Sequence, residues 1–180
     1  MTGREFADEK NIGMLETAAK AIIETEAPIC FDVLVDRLTE ACGITRKTAP
    51  VRERCEYIIR RFRFPISKLN ITHNPNTGYS DPNYDRLFIW TDADKIGCIT
   101  DNYRRTDRSE PTYVPLEEAA CAAVYLARSQ FGMPMDSLIV ETGKALGFKM
   151  STPTVKILCK RAIEFAIGKG ELSFNGRLVK

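Results

Sequence analysis

The chain has 180 residues, with 26 Lys and Arg against 24 Asp and Glu, one histidine and 44% hydrophobic residues, which suits one domain or two small ones with a real core. A charged fraction of 28% is ordinary for globular proteins and excludes disorder along the whole length. The start is polar, unlike a signal peptide, and every apolar run falls short of the roughly 20 residues that cross a bilayer, so we expect a cytoplasmic protein.

The first part of the chain predicts three helices in succession. A helix is expected over Ile12–Glu24, and a second helix begins at Asp32, whose carboxylate can cap its first turn. This second helix ends at Gly43, because a glycine after the last turn takes positive φ easily. The third helix begins near Thr48 and carries one apolar stripe with a period of 3.6 residues.

The same order returns in the last third of the chain. Helices are predicted over Leu116–Ser129, from a cap at Asp136 to Gly147, and onward from Thr152. A single shift of 104 residues relates the two copies, and it matches Asp32 with Asp136, Gly43 with Gly147 and Cys55 with Cys159. Identities at one offset and in helical register indicate an internal duplication.

A β-hairpin is expected after each third helix. In the first copy, Leu69–Thr72 pairs with Arg86–Trp90, with Trp90 in the core and Thr72–Asp85 as a long loop. In the second copy, Asn175 and Gly176 predict a two-residue type I′ turn. Three helices and a hairpin are typical of a winged helix, so the predicted fold is mainly α (α+β), with two winged helix-turn-helix units in tandem.

The predicted domain bounds follow from this duplication. Residues 1–93 form the first winged helix, residues 94–112 a polar linker, and residues 113–180 the second winged helix. The linker carries a basic cluster, Arg104, Arg105 and Arg108.

No residue pattern predicts catalysis. The six cysteines lack the short spacing that holds zinc, and we expect them to be buried thiols in the reduced state. The single histidine, His73, lies in a loop rich in Pro, Asn and Gly, and the chain has no phosphate-binding glycine loop. We therefore predict no enzyme activity, no catalytic residue, no metal and no cofactor.

Several stretches resemble a known family, namely EAPICFDVLVDRLTEACGITRKTAPVRERCE, LFIW, VPLEEA, FGMPMDSLIVETGKALGFK and GELSFNGRLV. They look like an uncharacterised tandem winged-helix domain found at the C-terminus of bacterial superfamily-one helicase-like proteins, and the likeness spans about residues 12–180. The resemblance implies a helicase-associated role. The family's third helices are Arg-rich in both copies, whereas the second here, TPTVKILCKRAIEFA, is more apolar. The motor is absent from this chain, so ATP hydrolysis is not implied.

Local charge predicts where nucleic acid would bind. Residues 27–64 hold eight Lys and Arg against five acids, and residues 132–169 hold six against three, while the first 26 residues are net acidic. The predicted contacts are Arg46, Lys47, Arg52, Arg54, Arg60, Arg61, Arg63, Lys149, Lys156, Lys160 and Arg161. Arginine suits phosphate and guanine, which favours the first copy as the main DNA-binding unit.

The third helix of the second copy predicts a different surface. Ile157 lies on its outward face and Leu158 and Phe165 flank that face, so we expect these three to be exposed unless a domain or partner covers them. The sequence thus predicts a non-catalytic accessory domain that binds duplex or forked DNA with little sequence specificity, on behalf of a helicase-like motor or other effector. The alternative is a protein–protein scaffold without DNA contact. No membrane and no small-molecule substrate is expected.

Overall fold

The computed structural model describes residues 2–105 and 110–180. Within them the chain is mainly helical, with one small β-sheet, which confirms the predicted α+β class. Residues 106–109, which include Arg108 and part of the predicted linker, lie outside the described residues.

Four helices and three strands come first along the chain. The helices are α1 (Gly3–Ala7), α2 (Ile12–Glu26), α3 (Phe31–Ala41) and α4 (Ala49–Phe62). The strands are β1 (Ile29–Cys30), β2 (Ile66–Asn70) and β3 (Asp85–Ile89), in the sheet order β1-β3-β2. Strand β1, which the sequence analysis did not predict, pairs antiparallel with β3 through Ile29 and Ile89.

Three long helices follow, namely α5 (Leu116–Ser129), α6 (Met135–Ala145) and α7 (Pro153–Gly168). The bounds of α5 are those predicted. As predicted, α3 and α6 are followed by Gly43 and Gly147 in left-handed conformations, with φ of 65° and 95°. The predicted aspartate caps are wrong, because α3 begins after Cys30 and α6 after Pro134, which places Asp32 and Asp136 inside the first turn.

The chain forms two compact units. The first comprises Met1–Lys68 and Leu87–Ala93, and the second comprises Leu69–Arg86 and Asp94–Lys180. The far end of the hairpin β2–β3 therefore belongs to the second unit, where Ile71 is 2% exposed and packs within the same apolar core as α5, α6 and α7. Residues 94–105, predicted as linker, belong to that unit as well, and Arg104 pairs with the buried Glu118 at 2.7 Å.

Each unit has its own core. In the first, α2, α3, α4 and the sheet bury Leu15, Leu34 and Ile58, together with Trp90, whose indole N–H donates to Ser67 at 2.8 Å. The placement of Trp90 in the core is as predicted. The six cysteines are thiols, four of them buried, while Cys42 is half-buried and Cys98 is exposed.

The second hairpin differs from its prediction. Phe174 pairs with Val179, so the turn spans residues 175–178 rather than the two residues of a type I′ turn. The side chain of Asn175 accepts hydrogen bonds from the backbone N–H groups of Arg177 and Leu178, and these bonds stabilise the wider turn. Val179 also pairs with Met133, and Met133 lies 104 residues after Ile29 of β1. The duplication therefore includes the strand segment that precedes α3 and α6.

Candidate nucleic-acid interface

The candidate interface is built on the last helix of each unit, α4 in the first and α7 in the second. Helix α4 follows the extended residue Thr48, has Pro50 in its first turn and buries Val51, Cys55 and Ile58 on one side. Its cations consequently project from the remaining surface of the helix.

Most of the predicted cations of the first unit are bound to carboxylates of the same unit. Arg52 lies 2.6 Å from Asp32 and stacks over the Phe31 ring, 4.6 Å from its centroid. Asp32, predicted as a helix cap, thus acts as an ion-pair partner. The other pairs are Lys47 with Asp36, Arg60 with Glu56 and Arg61 with Glu16.

Arg61 has the least accessible of these partners. Its Nε lies 2.9 Å from Glu16, whose side chain is only 17% exposed. Another nitrogen of the same guanidinium donates to the Tyr57 hydroxyl at 3.2 Å. The hydrogen bond to Tyr57 and the charge of Glu16 raise the pKa of Arg61. A phosphate would have to displace a partly buried carboxylate to engage this guanidinium.

Helix α1 covers another part of α4. Phe6 of α1 is fully buried, and the guanidinium of Arg54 donates to the backbone carbonyl of Ala7. A methyl group built on Gly3 would lie 3.7 Å from both Thr48 and Val51, at the start of α4. The first turn of α4, where a recognition helix enters a groove, is therefore in contact with α1. Within the described residues, Arg46 and Arg63 are the predicted cations of this unit whose side chains form no ion pair or hydrogen bond.

Helix α7 has a different charge environment. Thr152 caps it by accepting a hydrogen bond from the backbone N–H of Val155 at 3.3 Å, and Pro153 occupies the first position. Lys149, in the turn before the helix, and Lys156 and Lys160, on it, are exposed, and no carboxylate lies within 4 Å of any of them in the described part of the chain. Arg161 is nearer an acid, at 3.9 Å from Glu164.

The duplication makes this contrast direct. Lys156 matches Arg52, which pairs with Asp32, while Lys160 matches Glu56, an acid. The corresponding positions thus carry two unpaired positive charges in the second unit and a paired cation beside a carboxylate in the first. The sequence led us to expect the better phosphate-binding surface on the first copy. These contacts do not favour that expectation.

The predicted partner surface on α7 needs a correction. Leu158 is 0% exposed and belongs to the core, and Ile157 and Phe165 are half-buried against the same core. Helices α5 and α6 and the turn Pro111–Tyr113 all pack on α7, and Leu158 lies within the core of this unit. Leu158 matches Arg54 in the repeat, so a position that holds a buried leucine in the second unit holds, in the first, an arginine that donates to α1.

Sequence reasoning missed one exposed cation of the second hairpin. Arg177 lies in the 175–178 turn and forms no ion pair within the described residues. A search for basic residues at the tip of the predicted hairpin would have found it. Of the two tyrosines in the long loop of the first hairpin, Tyr84 packs against the core of the second unit, whereas Tyr79 is 64% exposed.

Comparisons with known proteins assign no activity. Residues 4–53 match the model of a family described as a protein of unknown function (DUF3320). No curated protein matches the chain, and neither does any solved structure. Among the described helices, none combines the length and apolar character that a bilayer crossing requires.

Proposed function

We propose that this chain is a non-catalytic accessory domain with two winged-helix units in tandem, which binds duplex or forked DNA with little sequence specificity. It would act in the cytoplasm and bring a helicase-like motor or other effector to its substrate. The match to an uncharacterised family over residues 4–53 is compatible with that role but names no partner.

The order of elements supports the winged-helix proposal. In each unit a strand segment just before α3 or α6 pairs with an extended segment that follows α4 or α7, at Ile29 with Ile89 and at Met133 with Val179. A winged helix has this arrangement of a helix-turn-helix closed by a hairpin. The first hairpin departs from it, because Ile71 and Tyr84 near its far end pack in the core of the second unit, although residues 73–80 of its loop are exposed.

The unpaired lysines of α7 carry the nucleic-acid proposal. Lys156 and Lys160 are one helical turn apart on the exposed side, and Lys149 precedes them. An ammonium group is a point charge without the planar geometry that reads guanine, so these side chains suit phosphates. Binding should therefore be salt-dependent and largely independent of sequence.

The test compares the two units in one assay. Duplex, forked and single-stranded oligonucleotides are titrated by fluorescence anisotropy at two salt concentrations, with Lys156→Ala plus Lys160→Ala in one variant and Arg52→Ala plus Arg61→Ala in another. Loss of two phosphate contacts in the first variant should lower the salt slope by about two units. The second, matched variant should change it by less than about one unit, because its cations are already paired.

Two results would contradict the proposal. Equal slopes for the wild type and the α7 variant would show that α7 does not contact phosphate. If no oligonucleotide binds at low salt, the protein–protein scaffold becomes the better description.

A further inference from the structure

The first unit has an apolar groove that lies apart from the α7 lysines of the proposed DNA-binding surface. Its volume is about 210 Å³, and it lies between α4 and one face of the hairpin β2–β3. The lining residues are Phe31, Glu56, Ile59, Arg60, Ile66, Lys68, Leu87 and Ile89. All of them belong to the first unit.

The floor and one wall of this groove are aliphatic and aromatic. Phe31, Ile59 and Ile89 are nearly fully buried and form a rigid base. Ile66 stands beside them with 45% of its surface exposed, although burying it would be favourable. The groove thus presents a preformed contact for an aliphatic side chain supplied from outside.

The groove lies beside a sheet edge. In the order β1-β3-β2, β2 is terminal, so one side of its backbone at Ile66–Lys68 pairs with no strand in the described part of the chain. Such an edge can accept an extended peptide through main-chain hydrogen bonds, while alternate side chains of the peptide enter neighbouring pockets.

The charges at the rim of the groove determine which kind of peptide it favours. Arg60, with 79% of its side chain exposed, and the exposed Lys68 stand against one acid, Glu56, which Arg60 approaches to 3.6 Å. Lys68 has no carboxylate within 4 Å among the described residues. The rim is therefore net positive and favours a segment that carries acidic side chains next to its aliphatic ones.

We propose that this groove binds an extended segment of a partner protein in which acidic and aliphatic residues alternate. The segment adds a strand to β2 at Ile66–Lys68. One aliphatic side chain enters the groove against Ile59 and Ile66, and the flanking acids lie near Lys68 and Arg60. The first unit would thus hold a protein partner, independently of whether α7 contacts DNA.

The probe is a short fluorescein-labelled peptide that alternates Asp or Glu with Ile, Val or Leu, with a control peptide in which Lys replaces the acids. Ile66→Asp should weaken binding of the acidic peptide about tenfold or more, because the anchor loses its apolar contact and meets a negative charge. Lys68→Glu should weaken it about two- to fivefold. Met14→Asp is the matched control, since Met14 is 51% exposed on the same unit outside the groove, and it should change binding by less than about twofold.

Hydrogen exchange supplies a second measurement that does not depend on variants. The acidic peptide should slow exchange of the backbone amides of Ile66–Lys68 in the wild-type protein. Equal binding of both peptides, no binding of the acidic peptide, or an equal effect of Met14→Asp and Ile66→Asp would overturn the proposal. Displacement of the peptide by a duplex oligonucleotide would also overturn it, since the groove would then be part of a nucleic-acid surface. The Lys156→Ala plus Lys160→Ala variant should bind the peptide normally, which separates this inference from the proposed function.

Discussion

Replacing Gly143 with alanine should destabilise the second unit, although alanine is the better helix former. An ideal Cβ at Gly143 of α6 would lie 2.9 Å from a Val155 methyl group of α7 and 3.7 Å from the sulfur of Cys159. Val155 is β-branched and holds one rotamer in a helix, so its methyl group cannot swing away. Helix α7 would have to shift, and α7 carries Lys156 and Lys160.

The expected magnitude is a balance of two effects. Gly to Ala in a helix interior stabilises by up to about 1 kcal/mol, whereas overpacking costs about 1–3 kcal/mol. We expect a net loss of about 1 kcal/mol, which lowers the melting temperature by about 2–4 °C for a chain of this size. Gly13→Ala is the control, because a Cβ there meets nothing within 4 Å, and it should raise the melting temperature slightly.

The assay is thermal unfolding followed by circular dichroism, with a double-mutant cycle. The Gly143→Ala plus Val155→Ala variant should recover about 1 kcal/mol relative to the sum of the single changes, since the smaller side chain makes room for the new methyl group. A Gly143→Ala protein that is as stable as Gly13→Ala would refute the close packing of α6 on α7.

Further predictions concern the second core and the thiols. Leu158→Ala should cost about 2–5 kcal/mol in urea unfolding, and Ile157→Ala less than half as much, because only Leu158 is fully buried; equal small losses would contradict its placement. Under native conditions at neutral pH, maleimide should modify the exposed Cys98 rapidly and Cys55 and Cys159 only after unfolding, as mass spectrometry can show, since burial raises the pKa of both to about 12. The same two thiols have a higher pKa in the folded chain than in the unfolded chain, so the free energy of unfolding should fall as the pH rises from 9 towards 12. The fall should be up to about 1.4 kcal/mol per pH unit for each thiol. A Cys55→Ala, Cys159→Ala variant with the same slope would argue against this.

Elements defined by local rules could be predicted from the sequence. Gly43 and Gly147 mark helix ends because positive φ is a property of the residue itself, and the apolar stripe of α7 follows from the helical period. The caps at Asp32 and Asp136 were wrong for a tertiary reason: each helix begins earlier than its aspartate, and Asp32 instead binds Arg52, twenty residues away.

The candidate site was harder to predict than the helices. Charge counts locate basic segments but do not reveal which cations find a carboxylate, and the pairing of Arg61 with Glu16 joins α4 to α2. Similarly, Leu158 is buried in the core that α7 forms with α5 and α6, and the periodicity of α7 alone does not encode that packing. The ion pairs of α4 and the burial of Leu158 in α7 therefore depend on contacts between distant segments, which local sequence patterns do not predict.

The placement of Ile71 affects how the duplicated chain can be divided. Proteolysis or gene splitting between residues 93 and 94 would follow the boundary of the repeat, yet the rear fragment would lack an aliphatic side chain that fills its interior. The front fragment would keep Ile71 but would lack the second unit, whose core buries this side chain. A rear fragment that begins at residue 94 should therefore fold less stably than one that also receives residues 69–86.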